Sequence, residues 1–285
     1  MNIRYPMGLG PEYGGFFMTI FRLVLVSTFF VFSGVAYSKD NAAKKPAKTE
    51  VVTLVEFASD EGVKRFSNST AKVDFFTLAN QFEGQSNGLF CGPTTAAIVL
   101  NALRPIGNAS LPKDKSRFSA DDLKYLPKEF DPSLARYTQD VVVEKGKKPR
   151  AEVFGKPVKS GDKEVDDFGY QLRQFNDLLL ANGLKTEMHV VDDKFDSKKV
   201  ISDMAANLKK RNDYVIVNYK RAEVGQKGGG HISPVAAYDQ KSNSFLILDV
   251  NPSKATWVWM PADTLIKGMR SFDTVENRGY VLVHD

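Results

Sequence analysis

Three residues of this chain have the types and the order that thiol catalysis requires: Cys91, His231 and Asp249. Cys91 is the only cysteine, and it stands just before an apolar run that Pro93 opens as in a first helical turn. A helix N-terminus stabilises a thiolate, because the aligned peptide dipoles favour negative charge there. The pattern predicts a nucleophile at a helix start, although on its own it fits a small buried hydrophobic residue equally well.

The histidine and the carboxylate follow at a spacing typical of one protease class. His231 comes directly after three glycines and opens an apolar segment, while Asp249 follows the apolar residues of FLILDV. Each alone is more simply a polar residue at a strand edge. His231 lies 140 residues after Cys91, and Asp249 lies 18 residues further on. Papain-class proteases place their histidine ~130–150 residues after the cysteine. The spacing therefore predicts Cys91 as nucleophile, His231 as general base, and Asp249 as the group that orients the imidazole.

The remaining polar candidates are few. Gln85, six residues before the cysteine, carries a side-chain amide that can donate to an oxyanion. His189 and His284 are predicted as surface residues. One cysteine and three scattered histidines do not give the ligand spacing of a zinc site, so no metal ligands are predicted.

The N-terminal segment has the form of a secretory leader. An apolar core of 13 residues, Leu23 to Val35, follows Arg22, and small residues precede Lys39. This core is shorter than the ~20 residues of a membrane span. We therefore predict that residues 1–38 are a cleaved signal peptide, that no permanent membrane span exists, and that the protein is exported, to the bacterial periplasm.

The composition after the leader is globular. Residues 39–51 are polar and rich in lysine and alanine, which predicts a flexible linker, and residues 52–285 are predicted to form one catalytic domain. Met18 would give the leader a more compact start, which would make the residues before it an over-extension. The net charge is only +5, and the basic cluster at 147–150 is interpreted as a solvated loop, so no nucleic-acid partner is predicted.

The apolar period changes along this domain, from helical to that of strands. It predicts helices at 61–66, the cysteine run, 120–126, 165–182 and 196–210, then strands at 214–219, 231–238, 245–250, 256–260 and 279–283. The rest of 104–163 is predicted as loops that could cover a cleft. The expected fold is α+β, a helical half followed by an antiparallel sheet half, with the active site between them.

Several sequence blocks resemble the phytochelatin synthase family, in particular its single-domain bacterial members. The blocks are GQSNGLFCGPTTAAIVLNAL, NYKRAEVGQKGGGHISPVAAYD and FLILDV, with FASDEGVKRF upstream and NRGYVLV at the end. The resemblance runs from about Val52 to Asp285. It implies a papain-like fold.

The resemblance also implies a reaction and further site residues. A member of this family would cleave the Cys–Gly bond of glutathione, form a γ-glutamylcysteinyl thioester on Cys91, and pass that group to water or to a second glutathione. By motif position Gln85 would be the oxyanion-hole residue. Arg221 and Arg278 would lie near the substrate, where a guanidinium suits the γ-glutamyl carboxylate, and Gly230 would let the substrate approach closely.

The expected partners are glutathione and its conjugates. The family implies no tightly bound cofactor, activation by heavy-metal ions such as cadmium or zinc through glutathione thiolates, and compatibility with a homodimer. Two other readings stay open at this point. One is a general papain-like or leader peptidase, and the other is a glutathione-binding or metal-thiolate-binding protein that has kept the fold without turnover.

Overall fold

A computed structural model of the chain describes residues 53–104, 110–160 and 162–284. The predicted signal peptide and linker, 1–38 and 39–51, lie outside the described residues. No helix in the described part of the chain is long and apolar enough to cross a membrane.

Most of the helices of the described residues lie in the first half of the domain. In chain order they are α1 (Asp60–Asn68), α2 (Phe75–Asn80), α3 (Cys91–Leu103), α4 (Ala120–Leu123), α5 (Gln139–Glu144), α6 (Arg150–Val153), α7 (Leu172–Ala181), α8 (Ser197–Asn207) and α9 (Ala262–Met269). A 3-10 turn, Arg221–Val224, also lies among the described residues.

The strands form one large sheet and one small hairpin. They are β1 (Val55–Glu56), β2 (Val158–Ser160), β3 (Lys163–Val165), β4 (Lys185–Val190), β5 (Tyr214–Lys220), β6 (Gly230–Asp239), β7 (Ser244–Ile247), β8 (Val258–Pro261) and β9 (Gly279–His284). Seven of them pair in the order β1-β8-β7-β6-β5-β9-β4, and β2 pairs with β3. All of the strand pairs are antiparallel. The predicted α+β class is therefore confirmed.

The large sheet is buried on both faces, and α3 lies in one of the two cores. Tyr214 and Ile216 of β5 pack in the core that contains α3 and α7, whereas Val215 and Val217 pack in the core that contains α8 and α9. This alternation follows from the two-residue period of a strand. Residues 96–100 of α3 are fully buried, as expected of a helix that is apolar on every side. Helix α3 is therefore the buried helix that the apolar run after Cys91 predicted.

The predicted boundaries differ from the structure most clearly at α7. The helix begins at Leu172 rather than at residue 165, because Gly169 has a left-handed φ of +68° that interrupts a helical path. Phe168, which lies within the predicted range of this helix, is outside the helix and 59% exposed. The sequence prediction did not include helices α2, α5, α6 and α9 or strands β1, β2 and β3; apart from α9, each spans only two to six residues, too few for a clear apolar period.

Candidate active site

Cys91 is the first residue of α3, as the sequence predicted, and its side chain is only partly buried. The next position has to be small, since a Cβ on Gly92 would lie 3.2 Å from Phe175 Cδ2 and 3.4 Å from Tyr170 Cδ2. Thr95, one turn further along the helix, donates through Oγ1 to the carbonyl of Ile232 at 3.2 Å. This bond ties α3 directly to β6 and so fixes the cysteine relative to the strand that carries the histidine.

His231 is the second residue of β6, and its side chain is almost wholly buried. Its Nε2 lies 3.0 Å from Asp249 Oδ1 and 2.8 Å from Ser233 Oγ. The imidazole and the Cys91 thiol line the same cavity and influence each other's ionisation. Because Nε2 faces the carboxylate and the serine, Nδ1 is the ring nitrogen left for the sulfur. The structure thus brings the predicted thiol, imidazole and carboxylate together.

Asp249 is the buried end of this chain of contacts. It lies two residues beyond β7, and its Oδ1 accepts hydrogen bonds from Arg221 Nη2 and from the Asn251 amide, both at 2.8 Å. Arg221 Nη1 lies 2.8 Å from Asp249 Oδ2 and donates to Gln226 Oε1 at 2.7 Å. A carboxylate held by this many donors keeps its charge and its orientation although it is buried.

The electrostatics of the three groups favour a thiolate–imidazolium pair. Burial opposes ionisation of the Cys91 thiol, but the hydrogen bond and the charge of His231 outweigh it and lower the pKa of the cysteine. Burial likewise disfavours the imidazolium, yet hydrogen bonds to Asp249 and Cys91 raise the pKa of His231. The pKa of Asp249 is lowered, because His231 and Arg221 together outweigh its burial. The site is therefore prepared for nucleophilic attack by sulfur.

A cavity of about 190 Å³ opens in front of the thiol. Cys91 and His231 line it together with Gly230, Asp273 and Arg278, and the segment 168–170 forms part of its wall. Arg278 Nη2 pairs with Asp273 Oδ1 at 2.8 Å, and both residues lie where a charged group of a ligand would meet them. A cation and an anion therefore face the cavity next to the nucleophile.

The Arg278 guanidinium is almost completely buried, and its Nε has no partner among the described residues. Its Nη1 donates to the carbonyl oxygens of Ser271 and Phe272 at 3.3 and 2.7 Å. A Cβ at position 230 would lie 3.1 Å from Arg278 Nη2, so glycine at that position leaves room for the guanidinium. A buried donor without a partner is costly unless a ligand supplies one.

The other predicted site residues have different surroundings. Arg221 is not among the residues that line this cavity, because its guanidinium is buried against Asp249. Gln85 donates through Nε2 to the Asn87 carbonyl at 2.6 Å, and its Oε1 is buried with no partner in the described part of the chain. The roles predicted for both residues stay predictions.

The histidines without a predicted role lie on neighbouring strands at the β4 edge of the sheet. His189 on β4 stacks on the Tyr280 ring with centroids 4.6 Å apart, and its side chain is 14% exposed. His284 on β9 lies 3.2 Å from Asp213. His189 is thus less exposed than predicted, since the ring of Tyr280 covers it.

One prediction about charge is wrong. Lys148 was interpreted as part of a solvated loop, but its side chain is buried and lies 2.8 Å from Asp167. Its neighbour Lys147 does have the predicted exposure, with 72% of the side chain accessible. A run of basic residues indicates solvent only on average, because one member can turn inward when a buried carboxylate is within reach.

Sequence reasoning missed further residues of the site. Ser233 could have been found, because it lies two residues after His231 on a strand and so shares its face. Asp273 could not, since nothing in SFDTVENR distinguishes this acid from a surface residue before Arg278 is known to lie beside it. Within the described ranges no group of three or more His, Cys, Asp or Glu residues could hold a metal ion.

A cysteine at a helix N-terminus with a histidine and a carboxylate beside it is the arrangement of groups that thiol-dependent acyl-transfer enzymes use. A family model described as "Phytochelatin synthase" matches residues 48–280. The chain belongs to the phytochelatin synthase family.

Curated relatives carry a consistent name. The chain is 29% identical over 239 residues to "Glutathione gamma-glutamylcysteinyltransferase 2" of Arabidopsis thaliana, covering 80% of this chain and 44% of that protein. It is 27% identical over 215 residues to "Glutathione gamma-glutamylcysteinyltransferase" of Schizosaccharomyces pombe, covering 74% of this chain and 43% of that protein. The chain thus spans less than half the length of these relatives.

Proposed function

We propose that this protein is a γ-glutamylcysteine dipeptidyl transferase or hydrolase that acts on glutathione. The single observation that carries this proposal is the cavity in which Cys91 faces the Asp273–Arg278 pair. Glutathione begins with a γ-linked glutamate, so its α-carboxylate and α-ammonium are both free. A guanidinium and a carboxylate side by side are complementary to these two charges. Family membership and the names of the relatives support the same substrate.

The first half of the reaction is acylation of the thiol. The Cys91 sulfur attacks the carbonyl carbon of the cysteinyl residue in glutathione, and the carbonyl oxygen takes up the negative charge of the tetrahedral intermediate. We propose that Gln85 donates to this oxyanion through an amide hydrogen that its bond to Asn87 leaves free. His231 then gives its proton to the glycine nitrogen as the Cys–Gly bond breaks. Glycine leaves, and γ-glutamylcysteine remains on Cys91 as a thioester.

The second half transfers the acyl group. Neutral His231 takes a proton from water or from the α-amine of a second glutathione as that molecule attacks the thioester, and sulfur leaves as the thiolate. Water gives γ-glutamylcysteine, whereas glutathione gives a chain longer by one γ-glutamylcysteine unit. We expect hydrolysis to dominate.

Further parts of the proposal come from the family resemblance. They are a papain-like arrangement of the helical and sheet parts, no tightly bound cofactor, and heavy-metal ions that act as part of the substrate, as glutathione thiolates of cadmium or zinc. Glutathione conjugates are further substrates, and a homodimer is the assembly. The leader predicts export to the bacterial periplasm, with a mature N-terminus at or near Lys39. N-terminal sequencing of protein from a fractionated bacterial host tests this, and uncleaved protein in the cytoplasm would contradict it.

The decisive experiment for the reaction combines glycine release with intact-mass measurement. Wild-type protein mixed with glutathione should release glycine and carry a γ-glutamylcysteinyl adduct, whereas Cys91→Ser should do neither, because a hydroxyl is a far weaker nucleophile in a site built for a thiolate. Cleavage of α-linked peptides in preference to glutathione would favour the general peptidase. Binding of glutathione without glycine release would favour the non-catalytic reading.

A further inference from the structure

A buried charge cluster, formed by Lys148, Asp167 and Gln174, lies behind one wall of the Cys91 cavity. Lys148 Nζ lies 2.8 Å from Asp167 Oδ2 and donates to the Asp167 carbonyl at 2.7 Å and to Gln174 Oε1 at 3.1 Å. Gln174 Nε2 donates to Asp167 Oδ2 at 2.5 Å. The two charged side chains are each only 5% exposed. The ammonium thus has three acceptors, as many as it has protons.

The contacts of this cluster join three separate pieces of chain. Lys148 precedes α6, Asp167 lies before α7, and Gln174 belongs to the first turn of α7. Gln174 Oε1 also accepts from the Gln171 amide at 3.0 Å. The cluster therefore determines where the segment between Asp167 and Gln171 runs.

That segment is the cavity wall. Phe168, Gly169 and Tyr170 follow Asp167 directly and line the cavity with the thiol. Gly169 holds a left-handed φ of +68° and donates its amide to the Val153 carbonyl at 3.0 Å. A bend of this kind depends on contacts at its two ends, and the buried cluster supplies the contact at the Asp167 end.

The charges of the cluster also act on Asp273, which lines the same cavity. The pKa of Asp273 is raised, chiefly by burial. Asp167 raises it further, whereas Arg278 and Lys148 lower it. The charges of Lys148 and Asp167 thus act on Asp273 in opposite directions, and only their pairing keeps the net field small. Removing the lysine alone would leave a second negative charge close to Asp273 and Arg278.

We infer that Lys148, Asp167 and Gln174 form a positioning cluster that sets the shape and the charge balance of the cavity, and through them the affinity for the zwitterionic head of the substrate. None of the three residues touches the thiol or the imidazole in the described structure. A buried ion pair usually contributes little to net stability, because desolvation offsets the attraction. The role of the Lys148–Asp167 pair is therefore to hold the cavity wall in place rather than to stabilise the fold.

This inference rests on the proposed function only for its choice of substrate. In Lys148→Met we expect KM for glutathione to rise about tenfold or more, since an uncompensated buried charge displaces the wall. We expect kcat and the rate of Cys91 alkylation by iodoacetamide to stay within about twofold, because α3 and His231 are unchanged. Adding Asp167→Asn should recover part of the KM, as expected for two coupled sites. The matched control is Lys147→Met, which removes an exposed charge from the adjacent position and should change neither constant.

A second readout needs no glutathione. The anionic reagent iodoacetate and the neutral iodoacetamide both alkylate the thiol. The rate with iodoacetate divided by the rate with iodoacetamide reports how well the cavity accepts a carboxylate. This ratio should fall about threefold or more in Lys148→Met and stay unchanged in Lys147→Met. If wild type releases no glycine from glutathione but the ratio falls as expected, the proposed function fails and the positioning cluster stands.

The inference is overturned if folded Lys148→Met keeps both the wild-type KM and the wild-type reagent ratio. It is also overturned if kcat and the iodoacetamide rate both fall while KM rises, since that would indicate general damage to the site. Should Lys148→Met not fold, Gln174→Leu keeps both charges and removes only their shared amide. A rise of about threefold in KM and a lower reagent ratio support the inference there, and unchanged values contradict it.

Discussion

Arg221 contacts both carboxylate oxygens of Asp249 at 2.8 Å, and one of these oxygens also lies 3.0 Å from His231 Nε2. The arginine is therefore connected to the thiol through two intermediates rather than through the substrate cavity. A guanidinium that hydrogen-bonds to one oxygen of a carboxylate and lies close to the other fixes the orientation of the carboxylate and stabilises its charge. We propose that Arg221 is a positioning residue for the imidazole.

This placement predicts that substitutions of Arg221 and of Arg278 change different kinetic constants. Arg221→Lys should lower kcat by roughly tenfold to a hundredfold with little change in KM, because an ammonium cannot reproduce the two contacts that hold Asp249. Steady-state kinetics on glutathione measure both constants. Lys220→Met, at the exposed neighbouring position, is the matched control. A raised KM with unchanged kcat would return Arg221 to the substrate-binding role that its motif position predicted.

Arg278→Lys should have the opposite signature. The charge stays but the planar fork is lost, so we expect roughly a hundredfold loss in kcat/KM on glutathione, carried mainly by KM. Alkylation of Cys91 by iodoacetamide should change little. Arg173→Lys serves as the control, because Arg173 makes a similar two-contact pair with Glu276 on the exposed surface. Full activity of Arg278→Lys on glutathione would refute the glutathione assignment.

The order of damage among the histidine and carboxylate variants tests the assignment of the base. His231→Ala should cost several orders of magnitude in kcat, and Asp249→Asn should cost less if an amide still orients the ring. His189→Ala and His284→Ala should keep activity, since these histidines lie at the β4 edge of the sheet. Glycine release measures all four. Inactivation by either of the last two, with His231→Ala active, would show the assignment to be wrong.

The pH dependence follows from the directions of the pKa shifts. The lowered pKa of Cys91 and the raised pKa of His231 make the thiolate–imidazolium pair the dominant form between the two values. Alkylation of Cys91 should therefore persist below the ordinary thiol pKa of ~8.5. In Asp249→Asn the pKa of His231 falls, so the alkaline limb of the kcat/KM profile should move to lower pH. A profile that does not narrow would contradict the coupling.

Much of the active site could be predicted from the sequence because its parts leave local signals. The apolar run after Cys91 determines a buried helix, and a helix start has the same electrostatic consequence in any fold. The glycines before His231 and the apolar segment before Asp249 indicate strands, and the spacing of the three residues matches a known order of catalytic groups. These features depend on near neighbours in the chain, so the sequence alone determines them.

The tertiary structure decided which partner each charged side chain takes. The spacing of apolar residues along the sequence cannot show that Arg221 contacts a carboxylate 28 residues away. Nor can it show that Lys148 turns inward to Asp167 while Lys147 stays in solvent. A polar residue is buried when a complementary group lies within reach, and that depends on how distant segments pack. For the same reason only the fold showed that Asp273 and Arg278 stand together beside Cys91. Sequence determined the reacting groups, and packing determined the charges that surround the substrate.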